Sequence, residues 1–359
     1  MPDDQPLQVL SRGRIPSLDG LRAVAILLVI KSHLTGGFYN VPIWGVGRFP
    51  LRFTLGNLGV RIFFVISGFL ITTLLLREIV ESGRISLKQF YIRRALRILP
   101  ASYFFLLCLA ITVAIGILTI PKISFLASFF YFRNYLGNDW YTGHLWSLSV
   151  EEQFYLIWPA IMVFLGNRGA LIAAFCTLPL ADFMRTFRPE TGFETNMDAL
   201  ACGCILACLW GTLGRNERWQ SFLRSGFFWV IPIAVLASSK LQFLGGIWLA
   251  VGTGIVNLLI AISIERFVRY HQGVAGRLLN FRAVAFVGTL SYSLYLWQQP
   301  WIVSMGGHGI WQTAPLNLIL ACGCAALSYT FIERPFLRLR NRLRIARSVP
   351  LIKCTDAVV

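Results

Sequence analysis

Segments of roughly twenty apolar residues recur along almost the whole chain, each long enough to cross a hydrocarbon core of about 30 Å as a helix. About ten can be drawn, at 18–36, 58–77, 98–118, 145–165, 169–184, 197–213, 226–238, 243–264, 284–304 and 314–332. A backbone in lipid must satisfy its own hydrogen bonds, so such segments are read as helices. The 359 residues are 56% hydrophobic and 14% charged, which leaves no length for a separate soluble domain of ordinary size. The expected fold class is all-α, a polytopic integral membrane helical bundle of about ten transmembrane helices. Its expected organisation is an N-terminal tail over residues 1–14, a transmembrane domain over 15–336 and a basic tail over 337–359.

A formal charge of +17 raises nucleic acid as a partner, but the distribution of that charge points to topology instead. With the N-terminus inside, the inner segments hold Arg12 and Arg14, the run from Arg77 to Arg97, Arg168, Arg215, Arg218, Arg224, Arg266, Arg269, Arg277, Arg282 and the Arg338 to Lys353 tail. The outer segments hold Arg48, Arg52, Lys122, Arg133, Arg185, Arg188 and Lys240. Positive residues gather on the cytoplasmic side, so both termini are expected there, with anionic lipid as an added contact and no nucleic acid. The first segment begins with charged and polar residues and lacks a small-residue cleavage site, so it is expected to stay in the membrane. Of the eight cysteines, Cys202 and Cys204, like Cys322 and Cys324, are two apart. On a helix such pairs face apart, so neither a metal site nor a disulfide framework is expected.

Ionisable residues inside such segments are costly and mark function by default. In LDGLRAVAILLVIKSHL, Arg22 and His33 are eleven residues apart; the helix turns about 20° past three full turns over that interval and rises about 16 Å. The two therefore share one face at opposite depths. Alternating the direction of the segments sorts the other polar residues as well. His33, Arg61, Glu151 and Glu152 of LWSLSVEEQFY, Asp198 of TNMDAL, and Gln298 and Gln299 fall toward the outer half. Arg22, the group Arg93, Arg94 and Arg97 of YIRRALRILP, and Glu333 with Arg334 fall toward the inner half. Arg94 and Arg97 are one turn apart and could fork onto phosphate oxygens, although a single Arg at a helix end commonly only snorkels. Arg22 could equally pair with Asp19 at i, i+3. One of Glu151 and Glu152 is expected to face solvent, because adjacent residues point about 100° apart. The aromatic residues Tyr292, Tyr295, Trp297, Trp140 and Tyr141 read as interfacial-belt residues, with sugar stacking as the alternative. Glycine-containing stretches such as FFVISGF read as points of close helix approach, and Ser67 there as a buried hydrogen-bonding residue rather than a nucleophile.

These segments resemble the membrane-bound acyltransferase 3 family, which includes O-antigen, polysaccharide and Nod-factor O-acetyltransferases. The resemblance rests on SLDGLRAVAILLVIKSHL, GVRIFFVISGFLIT, FYIRRALRILP, HLWSLSVEEQFYLIWP, TNMDALACG, SYSLYLWQQP and YTFIERP, in family order from about residue 15 to 336. It implies an enzyme of a bacterial inner or plasma membrane that moves an acyl group, most often acetyl, from cytoplasmic acyl-CoA to a hydroxyl of an extracytoplasmic glycan. It implies that His33 is catalytic, that Arg22, Arg94 and Arg97 serve the acyl donor, and that Glu151 or Glu152 belongs to the signature. Where the family often has histidine in YLWHxP, this chain has Gln298, which can hydrogen-bond but cannot take a proton at neutral pH. A counterpart of the esterase-like domain fused to some relatives is not expected here, so transfer is expected to be completed in the membrane domain or with a separate partner.

The expected mechanism has His33 as general base, Glu151 or Glu152 orienting the imidazole, and Arg94, Arg97 and Arg22 holding CoA phosphates. Ser67, Arg61, Asp198 or Gln298 are candidates to contact substrate or a thioester oxyanion, and no metal is required. A succinyl or longer donor, or a macrolide or lipid-linked acceptor, is the alternative within this class. A transporter shares the many spans, but the sequence shows no inverted repeat or paired broken segments.

Overall fold

The computed structural model describes residues 15–34, 40–43, 47–50, 55–137, 139–187, 191–241, 247–302 and 309–348. The predicted tail over 1–14, the last residues of the basic tail from 349, and the charge assignments of Arg12, Arg14, Arg52 and Arg188 lie outside them. The described residues are almost entirely helical: α1 (Leu18–Leu34), α2 (Leu55–Ser82), α3 (Leu87–Ala114), α4 (Lys122–Phe129), α5 (Trp140–Gly143), α6 (Leu145–Arg185), α7 (Met197–Arg215) and α8 (Glu217–Arg224). A 3-10 turn, Gly226–Trp229, leads into α9 (Val230–Leu241), α10 (Ile247–Arg269), α11 (Val274–Leu279), α12 (Arg282–Trp301) and α13 (Leu316–Ser328). A π-turn, Tyr329–Glu333, then joins α13 to α14 (Arg334–Ser348). The all-α expectation missed one feature, an antiparallel hairpin of β1 (Asn40–Ile43) and β2 (Gly47–Pro50) with Asn40 opposite Pro50.

Among the described residues, each predicted apolar segment falls mainly on helix, but the spans are not ten uniform rods. Among the described residues, five helices are long and apolar enough to cross a membrane, or six if the bent pair Glu217–Arg224 and Gly226–Ser238 counts as one. The first helix has 17 residues and is about 26 Å long, slightly short of a full hydrocarbon core. Segments 145–165 and 169–184 run together as α6, whose 41 residues would be about 61 Å long if straight, twice the bilayer core. The chain leaves helical geometry inside it at Gly166 (φ 64°, ψ −177°), a left-handed φ that glycine reaches without steric cost. The third segment starts earlier than drawn, because YIRRALRIL is itself helical and Pro100 lies inside α3.

Lipid removes the hydrophobic drive that assembles soluble helices, so close backbone approach and internal hydrogen bonds must hold the bundle. At the crossing of α2 and α7, a Cβ on Gly68 would stand 1.9 Å from the Leu200 carbonyl oxygen, and one on Gly203 would stand 2.1 Å from that of Val65. These reciprocal glycines, the first of them in FFVISGF, let two backbones touch as expected from sequence. Around that crossing Phe64, Phe69, Ile71 and Leu75 are buried. The α1–α12 pair uses the same device, with Gly288 against the Asp19 carbonyl oxygen. The entry of α1 is tied down separately: Ser17 donates its N–H to Asn280 Oδ1 at 2.8 Å and accepts from Asn280 Nδ2 at 3.0 Å.

A methyl group at the α2–α7 crossing is expected to be felt, whereas a Cβ added to Gly226 would meet no atom within 4 Å. Gly68→Ala should destabilise the detergent-solubilised protein by about 1–3 kcal/mol, and Gly226→Ala should leave the thermal midpoint unchanged. Equal midpoints for the two variants would contradict this packing.

Candidate active site

Helix α1 presents Arg22 and His33 to the interior. Val24, Leu27, Lys31 and Leu34, spaced three and four apart, form the exposed face, while Arg22 and His33 are half-buried on the opposite face. Arg22 pairs with Asp19 at 3.4 Å, the i, i+3 partner expected from sequence.

His33 is held by two elements distant in sequence. Its Nδ1 hydrogen-bonds Gln298 Oε1 on α12 at 2.7 Å, and Gln298 is fully buried. The edge of the ring meets Trp140 of α5, with centroids 5.6 Å apart. Trp140 is fixed in turn by Gln299: its Nε1 donates to the Gln299 carbonyl oxygen at 3.0 Å, and Gln299 Nε2 donates back to the Trp140 carbonyl oxygen. The two glutamines of YLWQQP, about 100° apart on α12, thus grip the histidine and the tryptophan respectively.

Behind Trp140, buried Arg133 organises residues 131–143. Its Nε donates to Thr142 Oγ1 at 2.9 Å, Nη1 to the carbonyl oxygens of Leu136 and Gly137 at 3.2 and 2.7 Å, and Nη2 to Asp139 Oδ2 at 3.3 Å. Asp139 caps α5 by accepting the Thr142 N–H at 2.9 Å.

The carboxylate expected beside the imidazole is elsewhere. Glu151 accepts from Ser67 Oγ at 2.7 Å and from Tyr155 O–H at 3.3 Å, and it lies within Coulombic reach of Arg22 and Arg97. The physical reason is depth: six residues into α6, Glu151 is about 9 Å along the helix from its start, so it joins the arginine layer. Glu152 does not face solvent; its Oε1 is buried without a hydrogen-bond partner, within Coulombic reach of Glu151 and Arg94. Ser67 is not a free oxyanion donor, because its single O–H is directed at Glu151.

The inner arginines do converge. The Arg94 guanidinium lies 5.5 Å from the Phe90 ring centre and 5.6 Å from that of Tyr155, and its Nε has no partner. Arg97 is within Coulombic reach of both Arg22 and Glu333, and Arg340 of α14 is within reach of Arg94 and Glu333. Arg93 belongs to another set, pairing with Glu78 at 2.7 Å.

Arg61 and Asp198 are tied to each other rather than to His33. Arg61 Nη1 donates to Asn257 Oδ1 at 3.4 Å, Asn257 Nδ2 donates to Asp198 Oδ2 at 2.7 Å, and Asp198 pairs with Arg185 at 2.5 Å. This chain of contacts joins α2, α6, α7 and α10, and its position argues for a clamp between helices rather than a substrate contact. The sequence gives no site role to Arg185 or Asn257; an Asn inside an apolar segment is the signal that could have found the second.

The tyrosines of SYSLYLWQQP are not belt residues. Tyr292 O–H donates to the Ile98 carbonyl oxygen at 2.8 Å, Tyr295 O–H to that of His144 at 2.8 Å, and Ser293 Oγ to Glu333 at 2.9 Å. Helix α12 therefore bonds to α1, α3, the start of α6 and the π-turn through successive residues of a single motif.

Comparison with known proteins places this arrangement. Residues 15–333 match the profile of the Acyltransferase domain family, acyltransferase 3. The chain belongs to that family of acyltransferases. Among its relatives, the peptidoglycan O-acetyltransferase OatA of Listeria monocytogenes is 30% identical, with 90% of this chain aligned to 56% of that protein. The O-acetyltransferase OatA of Staphylococcus aureus is 28% identical over 89% of this chain and 57% of its own length. YrhL of Bacillus subtilis, provisionally named a peptidoglycan O-acetyltransferase, is 31% identical over 89% of this chain and 54% of its own. The chain thus spans a little over half the length of these curated relatives. No solved structure matches it.

Removing Arg133 would strand Asp139 in a buried position. Arg133→Leu should loosen the 131–143 loop, at a cost of about 3–5 kcal/mol, and increase proteolytic cutting there in detergent. An unchanged cleavage pattern would show that the loop does not depend on this guanidinium.

Proposed function

We propose that this chain is a membrane O-acyltransferase that moves an acetyl group from cytoplasmic acyl-CoA to a hydroxyl of an extracytoplasmic glycan. The observation that carries the reading is the single interior face of α1. It sets His33, held by Gln298 and Trp140, about 16 Å along the helix from Arg22, which lies within Coulombic reach of Arg97. One end can receive a hydroxyl and the other a polyanion. The ten-span topology with cytoplasmic termini belongs to this proposal, supported by the break at Gly166 and the sidedness of the basic residues.

In the proposed reaction, Arg22, Arg94 and Arg97 hold the donor's phosphates through charge-assisted hydrogen bonds, and the pantetheine arm follows α1 outward. The His33 imidazole takes the acceptor O–H proton as the oxygen attacks the thioester carbonyl. The tetrahedral intermediate collapses with loss of the C–S bond, the imidazolium returns its proton to the thiolate, and ester and free CoA thiol leave. Ser67 of α2 and Tyr155 of α6 hold Glu151, which lies within Coulombic reach of Arg22 and Arg97 and balances their charge.

The names of the relatives favour a peptidoglycan-type acceptor, with O-antigen or another surface polysaccharide as the next class. The buried, unpartnered polar atoms of Glu152, Arg94, Gln298 and Gln299 support a polar ligand in this region, because buried polar groups are normally satisfied.

The test is acetyl transfer from labelled acetyl-CoA to soluble glycan fragments by protein in nanodiscs, read by mass spectrometry. His33→Ala should lower turnover by about 10²–10⁴-fold with insertion intact. Arg94→Ala with Arg97→Ala should raise the KM for acetyl-CoA by at least about tenfold. Near wild-type turnover in the first variant would remove the general base, and an unchanged KM in the second would move the phosphate site.

A further inference from the structure

The general base of the proposed reaction needs a defined tautomer, and the structure shows what defines it. An imidazole works as a base through a nitrogen that carries a lone pair, and which nitrogen that is depends on the hydrogen bond made by the other. The group at Nδ1 is the Gln298 carboxamide oxygen, 2.7 Å away. A carboxamide oxygen only accepts, so Nδ1 must carry the hydrogen and Nε2 the lone pair.

We infer that Gln298 is the positioning residue of this site: it holds His33 in the Nδ1–H tautomer and turns Nε2 toward the acceptor hydroxyl. This rests on the proposed general-base role of His33. It replaces the carboxylate that sequence reasoning sets against the ring, since Glu151 is engaged by Ser67 and Tyr155.

Three features of the structure fit Gln298 for this role. Its side chain is fully buried, so water does not compete for the oxygen. Its helix is fixed on both sides of the residue, by Tyr295 to His144 at one turn and by Gln299 to Trp140 at the next position. Trp140 closes on the imidazole from another side and limits its rotation. A neutral amide also differs from a carboxylate in consequence. It fixes orientation without adding a negative charge to the pair, and so it stabilises the imidazolium less than an Asp or Glu would.

The carboxamide leaves its own Nε2 buried without a partner. Turning the amide over would bring that N–H₂ to His33 instead, place the ring hydrogen on Nε2 and abolish the base at that nitrogen. The two arrangements predict opposite spectra, which makes the inference testable without any turnover.

The experiment uses ¹⁵N-histidine-labelled protein in nanodiscs, in which four histidines contribute signals and His33→Ala identifies the one of interest. Wild type is expected to show a protonated Nδ1 and an unprotonated Nε2 at His33. Gln298→Glu keeps an acceptor oxygen in the same place and should keep that pattern. Gln298→Met matches the length but lacks the acceptor, so it should lose the pattern and drop kcat by about 10²-fold or more with the acetyl-CoA KM unchanged. A protonated Nε2 in wild type, or a Gln298→Met protein with wild-type spectrum and kcat, would overturn the inference. If the tautomer is as stated but wild type transfers no acyl group, the inference about the ring stands and the proposed function falls.

Discussion

A polar side chain in lipid must find its partner inside the protein, and the hydrogen bond between His33 and Gln298 meets that requirement for the one imidazole on α1. The rest of the site is arranged around it. Helix α12 must lie close enough to α1 for the 2.7 Å contact, which the Gly288 crossing over the Asp19 carbonyl allows. The next residue on α12 holds Trp140 by its backbone, and Arg133 holds the loop that carries Trp140. A small residue at a helix crossing and a buried arginine in a loop therefore act toward a single end, a ring fixed in place and orientation.

The second layer obeys a different balance. Arg22, Arg94 and Arg97 repel one another, and burial makes that costly. Glu151, Glu333 and the Phe90 and Tyr155 rings stand among them and offset the repulsion. A polyanion would add to that compensation, which is why the arrangement suits phosphate. The Arg61, Asn257, Asp198 and Arg185 chain, in which Arg185 also pairs with Asp182, sets two carboxylates against two guanidiniums and reads as a joint between helices.

Much of this is legible in the sequence, and the limit follows from range. Helical periodicity is local, so the shared face of Arg22 and His33, the inner Arg94–Arg97 pair and the close approach at FFVISGF can be read directly. Pairings between helices are not legible. Gln298 is 265 positions from His33, and its neighbours suggest a substrate contact rather than a partner for the ring. Glu151 falls in the outer layer on sequence because it lies near the start of its segment, yet about two turns of helix carry it to the arginines. The tyrosines of SYSLYLW read as belt residues on composition, and only the packing of α12 against α3 and α6 reveals their internal partners.

The central claim is that one helix links a donor on the basic side to an acceptor on the other. Proteoliposomes with uniform orientation test it most directly, with labelled acetyl-CoA confined to the side of the basic segments and a membrane-impermeant glycan fragment on the opposite side. The account predicts label on the fragment, lost when the two substrates are exchanged across the membrane. Transfer only when both substrates share one side would contradict it.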